Sequence, residues 1–335
     1  MKVRATPRAP LEVRWLRREL VESRHRVHAV VADGTGKVWR VWGDGSLACV
    51  ARSSAKPFQT LPLVADGAAD HFGLTDEEIA LCCGSHNSEE VHIEAARSIL
   101  ARIGVAEERL ACGGHPSLLE ARRDELVAAG RRPTPVMSNC SGKHAGMLAL
   151  AAFHGWPLAG YERLGHPVQE RIGRELASWM GRRFGELEWA IDGCGAPTFA
   201  VPLRDLAVAA ARLAAGGGGS DAPGRVVGAM VAHPYMVGGA DRICTRLMEA
   251  EGRRLFVKEG AEAVYLAGEV SRGVGVALKV EDGSVRAADP ALLQVLGSAG
   301  LISAAAQRAF REDLGPTLRN TRSEVVGRVV VEEVA

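Results

Sequence analysis

The stretch VHAVVADGTGKVWRVWGDGSLACV, residues 27–50, decides the fold because it alternates β-rich runs with glycine-containing turns. The turns DGTG (33–36) and GDGS (43–46) have compositions that are typical of hairpins. Residues 255–281 and 326–333, near the other end of the chain, have the same β-rich character. The pattern predicts strands at both chain ends, and we expect these strands to pair into one antiparallel sheet.

The middle of the chain has helical signals instead. Thr75 and Glu78 form a capping box before an apolar run, and Ser88 is expected to open a helix that ends at Gly104. Further helices are predicted at 121–129, 142–153, 166–181, 203–214, 224–232, 240–250 and 290–310. Strands at both ends with a helical region inserted between them define an α+β architecture.

The composition is that of a globular protein and does not indicate binding to nucleic acid or to a membrane. It has 335 residues, of which 47% are apolar and 24% charged, and its net charge is +1. This balance gives no broad electrostatic footprint for nucleic acid. No apolar run approaches the roughly 18 residues of a membrane helix, so no membrane partner is expected.

The domain organisation follows from the same features. We treat residues 1–335 as a single catalytic domain, with an N-terminal arm over residues 1–20 and a glycine-rich surface loop at 216–224. The N-terminus lacks the apolar core of a signal peptide, which favours a cytoplasmic location. A homodimer is expected because two-fold dimers are the commonest assemblies.

Lysine is rare in this chain, which makes the lysines that occur informative. Only six of the 41 basic residues are lysines. Arginine cannot deprotonate in proteins, whereas lysine can act as a base or a metal ligand once its pKa falls. Lys56, Lys143 and Lys258 lie beside glycine, serine or cysteine clusters, so they are the lysines expected to take part in chemistry.

The segment ARSSAKPFQ (51–59) carries the first candidate pair. Ser53 and Lys56 are three residues apart, so both would face the same side of a helix. A desolvated lysine can take the proton of a serine hydroxyl, and penicillin-binding enzymes use the same spacing. The alternative is an ordinary helix start that Ser53 or Ser54 caps.

The segment LCCGSHNSEE (81–90) carries a second candidate serine. Ser85 lies in a tight loop just before a predicted helix, where backbone N–H groups can hold an anion. His86 follows it and could act as a base. The alternatives are ordinary turn chemistry for Ser85 and a solvated loop position for His86.

Seven cysteines at irregular spacing indicate thiols, metal ligands or core residues rather than a disulfide framework. In SNCSGKHAG, Cys140 and Lys143 share one face of a helix start, and Cys194 lies in the glycine-flanked loop DGCGAP. Two thiolates with one more donor could hold Zn²⁺. The alternatives are inert buried cysteines, or a cysteine nucleophile in which Cys140 pairs with His144.

Several of these segments together resemble a known family. RSSAKPFQ, CCGSHNSEEVH, NCSGKHAGML, DGCGAPTFAVPL and VKEGAEAVY occur in this order and resemble the L-asparaginase II family, the rhizobial, thermolabile-type or class 3 asparaginases. The resemblance implies a fold related to serine β-lactamases and glutaminases. It also implies hydrolysis of L-asparagine to L-aspartate and ammonia, with glutamine or another amide as the nearest alternative substrate and a non-catalytic zinc-stabilised binding protein as the alternative of a different class.

The same resemblance implies the roles of individual residues. It pairs Ser53 with Lys56 and Ser85 with Lys258, although Lys279 on the next strand is a rival for Lys258. We expect an acyl-enzyme mechanism in which either serine is the nucleophile, with a slight preference for Ser53.

The remaining implied residues bind metal and substrate. A zinc ion would be held by Cys140, Lys143 and Cys194, with water as the remaining ligand, in either a catalytic or an organising role. The candidate substrate-binding residues are Arg52, His86, Asn87 and Asp192. The turn GAEA differs from the family's expected GAEG at Ala263, so the backbone there is a point to check in the structure.

Overall fold

A computed structural model describes residues 9–333 and separates the chain into two compact units. Unit 1 comprises the residues through Ser54, Val201–Ala215 and the residues from Glu259 onward, and unit 2 comprises Ala55–Ala200 and Gly216–Lys258. The single catalytic domain over residues 1–335 stays a prediction. Within residues 9–333, none of the helices combines the length and apolar character needed to cross a bilayer.

The strands, in chain order, are β1 (Leu11–Arg17), β2 (Leu20–Asp33), β3 (Val38–Trp42), β4 (Ala48–Val50), β5 (Glu188–Ile191), β6 (Pro197–Pro202), β7 (Leu255–Gly260), β8 (Val264–Glu269), β9 (Val274–Val280), β10 (Thr317–Arg319) and β11 (Val325–Glu333). The α-helices are α1 (Lys56–Ala65), α2 (Ala68–His71), α3 (Asp76–Cys82), α4 (Glu90–Arg102), α5 (Glu120–Ala128), α6 (Ser141–His154), α7 (Pro167–Trp179), α8 (Leu203–Ala214), α9 (Ala222–Ala232), α10 (Pro234–Val237), α11 (Ile243–Glu251), α12 (Ala288–Ser298), α13 (Ala304–Ala309) and α14 (Arg311–Leu314).

Unit 1 contains an antiparallel sheet in the order β10-β11-β1-β2-β9-β8, with β3 pairing β2. Helices α8 and α12 pack against its central strands. The predicted hairpin joins β2 to β3, and its turn is closed by the Gly36 N–H donating to Asp33 O at 3.1 Å. Strands from both chain ends therefore form one antiparallel sheet with helices inserted between them in the chain, and the predicted α+β class is confirmed.

Part of the expected N-terminal arm belongs to this sheet. Residues Leu11–Arg17 form β1, which pairs with β2 on one side and β11 on the other. The sequence LEVRWLR alternates apolar and polar positions, and Leu11, Val13 and Leu16 are buried. This alternation, with apolar side chains on one face, is what a half-buried strand requires, so the segment is more stable as a strand of the sheet than as a solvent-exposed arm.

The predicted capping box at Thr75 is present, and most of the predicted helices are found with ends shifted by up to three residues. Two further differences have a clear physical reason. Helix α4 begins at Glu90 rather than at Ser88, because the ring of His92 accepts the Glu89 N–H at 3.2 Å and caps the helix. The predicted helix 290–310 is divided into α12 and α13 by a turn in which Gly300 has a φ of +63°.

The GAEA turn has the backbone that the glycine of the family's pattern would favour. Ala263 has a φ of +54°, in the left-handed region, and it is buried. An alanine pays a steric cost in this region that glycine avoids. The departure from the family's pattern therefore places a strained residue between β7 and β8.

Unit 2 is helical, and α6 lies at its centre with every residue from Ser141 to Ala151 buried. Two of its glycines lie against α3. A Cβ on Gly142 would lie 2.5 Å from Leu81 O, and one on Gly146 would lie 2.9 Å from the sulfur of Cys82. Because only glycine permits this approach, the start of α6 lies beside the loop that follows α3.

We expect Gly275→Ala, in β9, to lower the free energy of unfolding by about 3 kcal/mol, because overpacking forces backbone shifts. A methyl group there would lie 2.1 Å from Ala207 O and 2.3 Å from Ala211 N on α8. Urea unfolding measures the loss. Gly228→Ala is the control, since outside its own stretch of helix no atom lies within 4 Å of that added methyl and the exchange should cost nothing. Equal stability of the two variants would contradict this packing.

Candidate active site

Ser85 lies in the loop after α3, between two buried lysine side chains. Its Oγ accepts a hydrogen bond from Lys56 Nζ at 3.0 Å and lies 2.8 Å from Lys258 Nζ, also within hydrogen-bond distance. Both lysines are completely buried, and Ser85 is 3% exposed. Lys56 is the first residue of α1 and Lys258 lies on β7, so three separate elements of unit 2 place one hydroxyl between two amines.

The backbone around this cluster supplies further acceptors. Lys56 Nζ also donates to Gly84 O and, at 3.2 Å, to Asn139 O. Its three oxygen partners match the three donor hydrogens of an ammonium group, and two of them are carbonyls that can only accept. The N–H of Ser85 donates to Val237 O at 2.8 Å, so the loop that carries the hydroxyl is fixed from both sides.

The structure distinguishes the two lysines that the sequence left as rivals. Lys258 reaches Ser85, whereas Lys279 lies on β9 in unit 1 and donates to Glu262 O at 2.8 Å. Lys56, which the resemblance pairs with Ser53, donates to Ser85 as well. Ser53 lies in the partly exposed 3₁₀ turn before α1, and its pairing with Lys56 stays a prediction.

The candidate substrate-binding residues occupy different surroundings. His86 and Asn87 are completely buried, and the side chain of Asn87 donates to Ala240 O at 2.8 Å. Arg52 is partly exposed with a φ of +49°, and Asp192 is partly exposed with its carboxylate accepting the N–H of Gly193 at 2.7 Å. Their contact with a substrate stays a prediction.

Two stacked imidazole rings support the loop after Ser85. The rings of His86 and His92 lie 4.9 Å apart, and their Nδ1 atoms accept the N–H groups of Ser88 and Glu89 at 3.1 and 3.2 Å. Burial lowers the pKa of both histidines, that of His86 well below its usual range. The rings are therefore neutral acceptors, which is the form that this loop geometry requires.

The three candidate zinc ligands form a second cluster in unit 2. Cys140, Lys143 and Cys194 are all buried, and Lys143 Nζ lies 3.0 Å from the sulfur of Cys194. A hydrogen bond from Cys140 lowers the pKa of Cys194 to about 4, and the Lys143 charge acts in the same direction against burial. That bond, together with burial, raises the pKa of Cys140 to about 12, so the cluster holds one thiolate and one thiol.

The donor set of this cluster fits zinc, with lysine as an essential member. Burial disfavours the charge on Lys143, but the negative charges of Cys194 and Asp192 raise its pKa. A thiolate is a preferred zinc ligand, and the remaining thiol and ammonium would lose protons on binding. No group of three or more His, Cys, Asp or Glu side chains among residues 9–333 is arranged to hold a metal, so a site here needs Lys143.

His144 does not have the arrangement expected of a partner for a Cys140 nucleophile. Its Nδ1 bonds to the hydroxyl of Tyr161 at 2.7 Å, and burial lowers its pKa to about 3. Burial also raises the pKa of Tyr161, so the phenol is the donor in this bond. With Nδ1 occupied and the ring hard to protonate, His144 is poorly suited to take a thiol proton.

Sequence reasoning missed two residues near Ser85. Asn139 contributes its backbone carbonyl to Lys56, and its N–H donates to Nε2 of His115 at 3.0 Å. A main-chain carbonyl has no side-chain signal in a sequence. His115 lies in the segment GGHPS, which has the composition of an ordinary turn, so only the fold shows its contact with Asn139.

A family model described as L-asparaginase II matches residues 13–331, nearly the whole chain. The protein is accordingly an amidohydrolase, a hydrolase that acts on amide bonds of a small-molecule substrate. Within that class it belongs to the L-asparaginase II family. The expected homodimer and cytoplasmic location stay predictions.

Similar solved structures are distant. Crystal structures of Mglu include one that is 17% identical (82% of this chain, 67% of that chain, TM-score 0.45) and a native form that is 17% identical (83% and 66%, TM-score 0.46). A candidate beta-lactamase from Bacteroides dorei DSM 17855 is 11% identical (86% and 94%, TM-score 0.43). No curated protein matches the chain, so the assignment rests on the family model.

Because His86 and His92 stay neutral when the protein is folded, stability should fall as the pH drops below about 6.5, the usual histidine pKa. Below that pH the unfolded chain binds protons that the native rings do not bind. Each histidine then contributes a slope of up to about 1.4 kcal/mol per pH unit. We expect His92→Gln to reduce the slope, as measured by urea unfolding between pH 7.5 and 5.5; an unchanged slope would contradict the neutral ring.

Proposed function

We propose that this amidohydrolase converts L-asparagine to L-aspartate and ammonia, with Ser85 as the nucleophile. The observation that carries the proposal is the hydroxyl of Ser85 bonded to two completely buried lysine amines. An alcohol is a weak nucleophile unless a neighbouring base takes its proton, and a buried amine can do so. This proposal departs from the sequence-based preference for Ser53, because both amines contact Ser85.

The mechanism needs one charged amine and one neutral amine, and the contacts of Lys56 suit it to the charged role. Lys56 faces the carbonyl oxygens of Gly84 and Asn139 as well as Ser85, an environment that favours an ammonium group. Lys258 would then be the amine that accepts the Ser85 proton. A retained positive charge on Lys56 would hold the serine oxygen in place and stabilise negative charge as it develops on the reacting atoms.

The proposed reaction has two steps. Ser85 Oγ bonds to the side-chain amide carbon while its proton passes to Lys258 Nζ. The C–N bond then breaks, and Lys258 returns the proton to the leaving nitrogen, which departs as ammonia. Water attacks the resulting β-aspartyl ester and gives one proton to Lys258. The ester C–O bond then breaks while Lys258 passes that proton to Ser85 Oγ, so L-aspartate leaves and both groups return to their starting state. Proton transfer by a positioned group contributes roughly 10²–10⁴ in rate.

We also propose that Cys140, Lys143 and Cys194 hold a zinc ion. Their buried sulfur and nitrogen atoms support this, together with the thiolate character of Cys194. Bound zinc would supply a Lewis acid that polarises or orients a substrate group. Two thiolates donate charge to the ion and weaken that acidity, so we favour the orienting role. Asp192, whose charge acts on Lys143, would support the lysine end of the site.

Ser85→Ala and Lys258→Met should each lower kcat for asparagine by about 10³-fold or more. The nucleophile and its base act in the same step, so removing either one removes the catalysis that both supply. Ammonia release from asparagine and from glutamine, measured in parallel, checks both the mechanism and the substrate. Faster turnover of glutamine would change the substrate but keep the mechanism. Full activity in Ser85→Ala with loss in Ser53→Ala would transfer the nucleophile to Ser53, and bound metal without turnover of either amide would indicate a binding protein.

Cys140→Ser should remove the bound metal, because a serine hydroxyl is a poor ligand for zinc compared with a thiolate. Metal analysis of the purified protein gives the zinc content per chain. Cys112→Ser is the matched control, since that buried thiol donates to Pro135 O at 3.4 Å and is outside the proposed ligand set. Equal zinc in wild type and Cys140→Ser would exclude this ligand.

A further inference from the structure

Hydrogen bonds hold the chain on both sides of His115. At one end, the N–H of Ala111 donates to the hydroxyl of Tyr161 at 2.9 Å. Toward the other end, the hydroxyl of Ser117 donates to the carbonyl of Asn87, two residues beyond Ser85. His115, partly exposed, lies between these two anchors, so its ring is held by a fixed stretch of chain.

The ring of His115 makes hydrogen bonds through both nitrogens. Nδ1 lies 2.8 Å from Pro116 O, a carbonyl that can only accept, so Nδ1 carries a hydrogen. Nε2 of the neutral ring is then an acceptor, and it lies 3.0 Å from the N–H of Asn139. The side-chain Oδ1 of Asn139 lies 3.1 Å from the same nitrogen, but two acceptors do not pair, so this approach adds no hydrogen bond. The bond that connects His115 to Asn139 is therefore the one from the main-chain N–H.

Asn139 connects this ring to the Ser85 cluster. Its N–H and its carbonyl flank a single Cα, so holding the N–H restricts where the carbonyl can point. That carbonyl accepts from Lys56 Nζ at 3.2 Å, and Lys56 donates in turn to Ser85. Without His115, the Asn139 N–H would lose its ring acceptor and the carbonyl would lose a restraint on its direction.

We propose that His115 is a positioning residue for the reaction, which acts on Lys56 through the main chain of Asn139. The inference rests on the proposed function of the Ser85 cluster. His115 sets the direction of one of three oxygen acceptors around the Lys56 amine. Its contribution is the acceptor nitrogen Nε2, and it requires no contact between the ring and the substrate.

The test compares His115→Ala with His115→Gln. The alanine removes the acceptor, and we expect kcat to fall about tenfold with KM unchanged, since a hydrogen bond to a charged group is being weakened. Glutamine reaches as far as Nε2 and can accept the Asn139 N–H, so it should restore kcat to within about twofold of wild type.

His166→Ala is the matched control. The ring of His166 also accepts a backbone N–H, from Val168 at 3.2 Å, and also contacts a proline carbonyl, Pro157 O at 2.8 Å. Neither contact involves the Ser85 cluster. We therefore expect His166→Ala to lower the free energy of unfolding about as much as His115→Ala does, but to leave kcat unchanged.

A second measurement follows Lys56 directly and does not need turnover. The chain has only six lysines, so ¹⁵N-lysine labelling gives few side-chain amine signals, and Lys56→Arg identifies the signal of Lys56. His115→Ala should shift this signal, whereas His115→Gln and His166→Ala should leave it in place. If wild type failed to hydrolyse asparagine, the proposed function would fail, and the amine signal would still decide the link from His115 to Lys56.

Three results would overturn the proposal. An unchanged kcat and Lys56 signal in His115→Ala would show that the contact has no effect. A glutamine variant as slow as the alanine variant would show that the imidazole acts by itself rather than as an acceptor. An equal fall in kcat for His166→Ala would show that any loss of this kind slows the enzyme through stability alone.

Discussion

The structure of unit 2 depends on keeping two lysine amines out of water around one hydroxyl. Burying an amine or an ammonium group without hydrogen-bond partners is costly, so the side chains of Lys56 and Lys258 need oxygens close by. Ser85 supplies one oxygen to both amines, and the backbone carbonyls of Gly84 and Asn139 supply two more to Lys56. These requirements bring the start of α1, the loop after α3, the turn before α6 and β7 to one place.

The start of α6 connects the serine cluster to the candidate zinc site. Asn139 directs its carbonyl at Lys56, and the next residue, Cys140, donates a hydrogen bond to the sulfur of Cys194. One turn further along the helix, Lys143 contacts the same sulfur. Since Gly142 allows α6 to lie against α3, the two clusters are held by the same short segment, and a shift of this helix would disturb both.

Histidine is used repeatedly in unit 2 as an acceptor for the backbone. His86, His92, His115 and His166 each have a ring nitrogen within hydrogen-bond distance of a main-chain N–H. A ring nitrogen can play this part only while it keeps its lone pair. These hydrogen bonds hold the loops that carry Ser85 and Asn139, and each bond requires a ring nitrogen without a hydrogen.

Local chemistry in the sequence was enough to predict the β-rich ends, most helices and the residue types of the site. Alternation, capping residues and glycine turns act over a few positions, and Ser85, Lys258, Cys140 and Cys194 belong to short distinctive motifs. Which groups meet was decided only by tertiary structure. Ser85 lies 29 positions from Lys56 and 173 from Lys258 in the sequence, and Ser53 is much nearer to Lys56 than Ser85 is. The carbonyl of Asn139 has no side-chain signature at all, because every residue carries the same carbonyl and only the fold determines where it points.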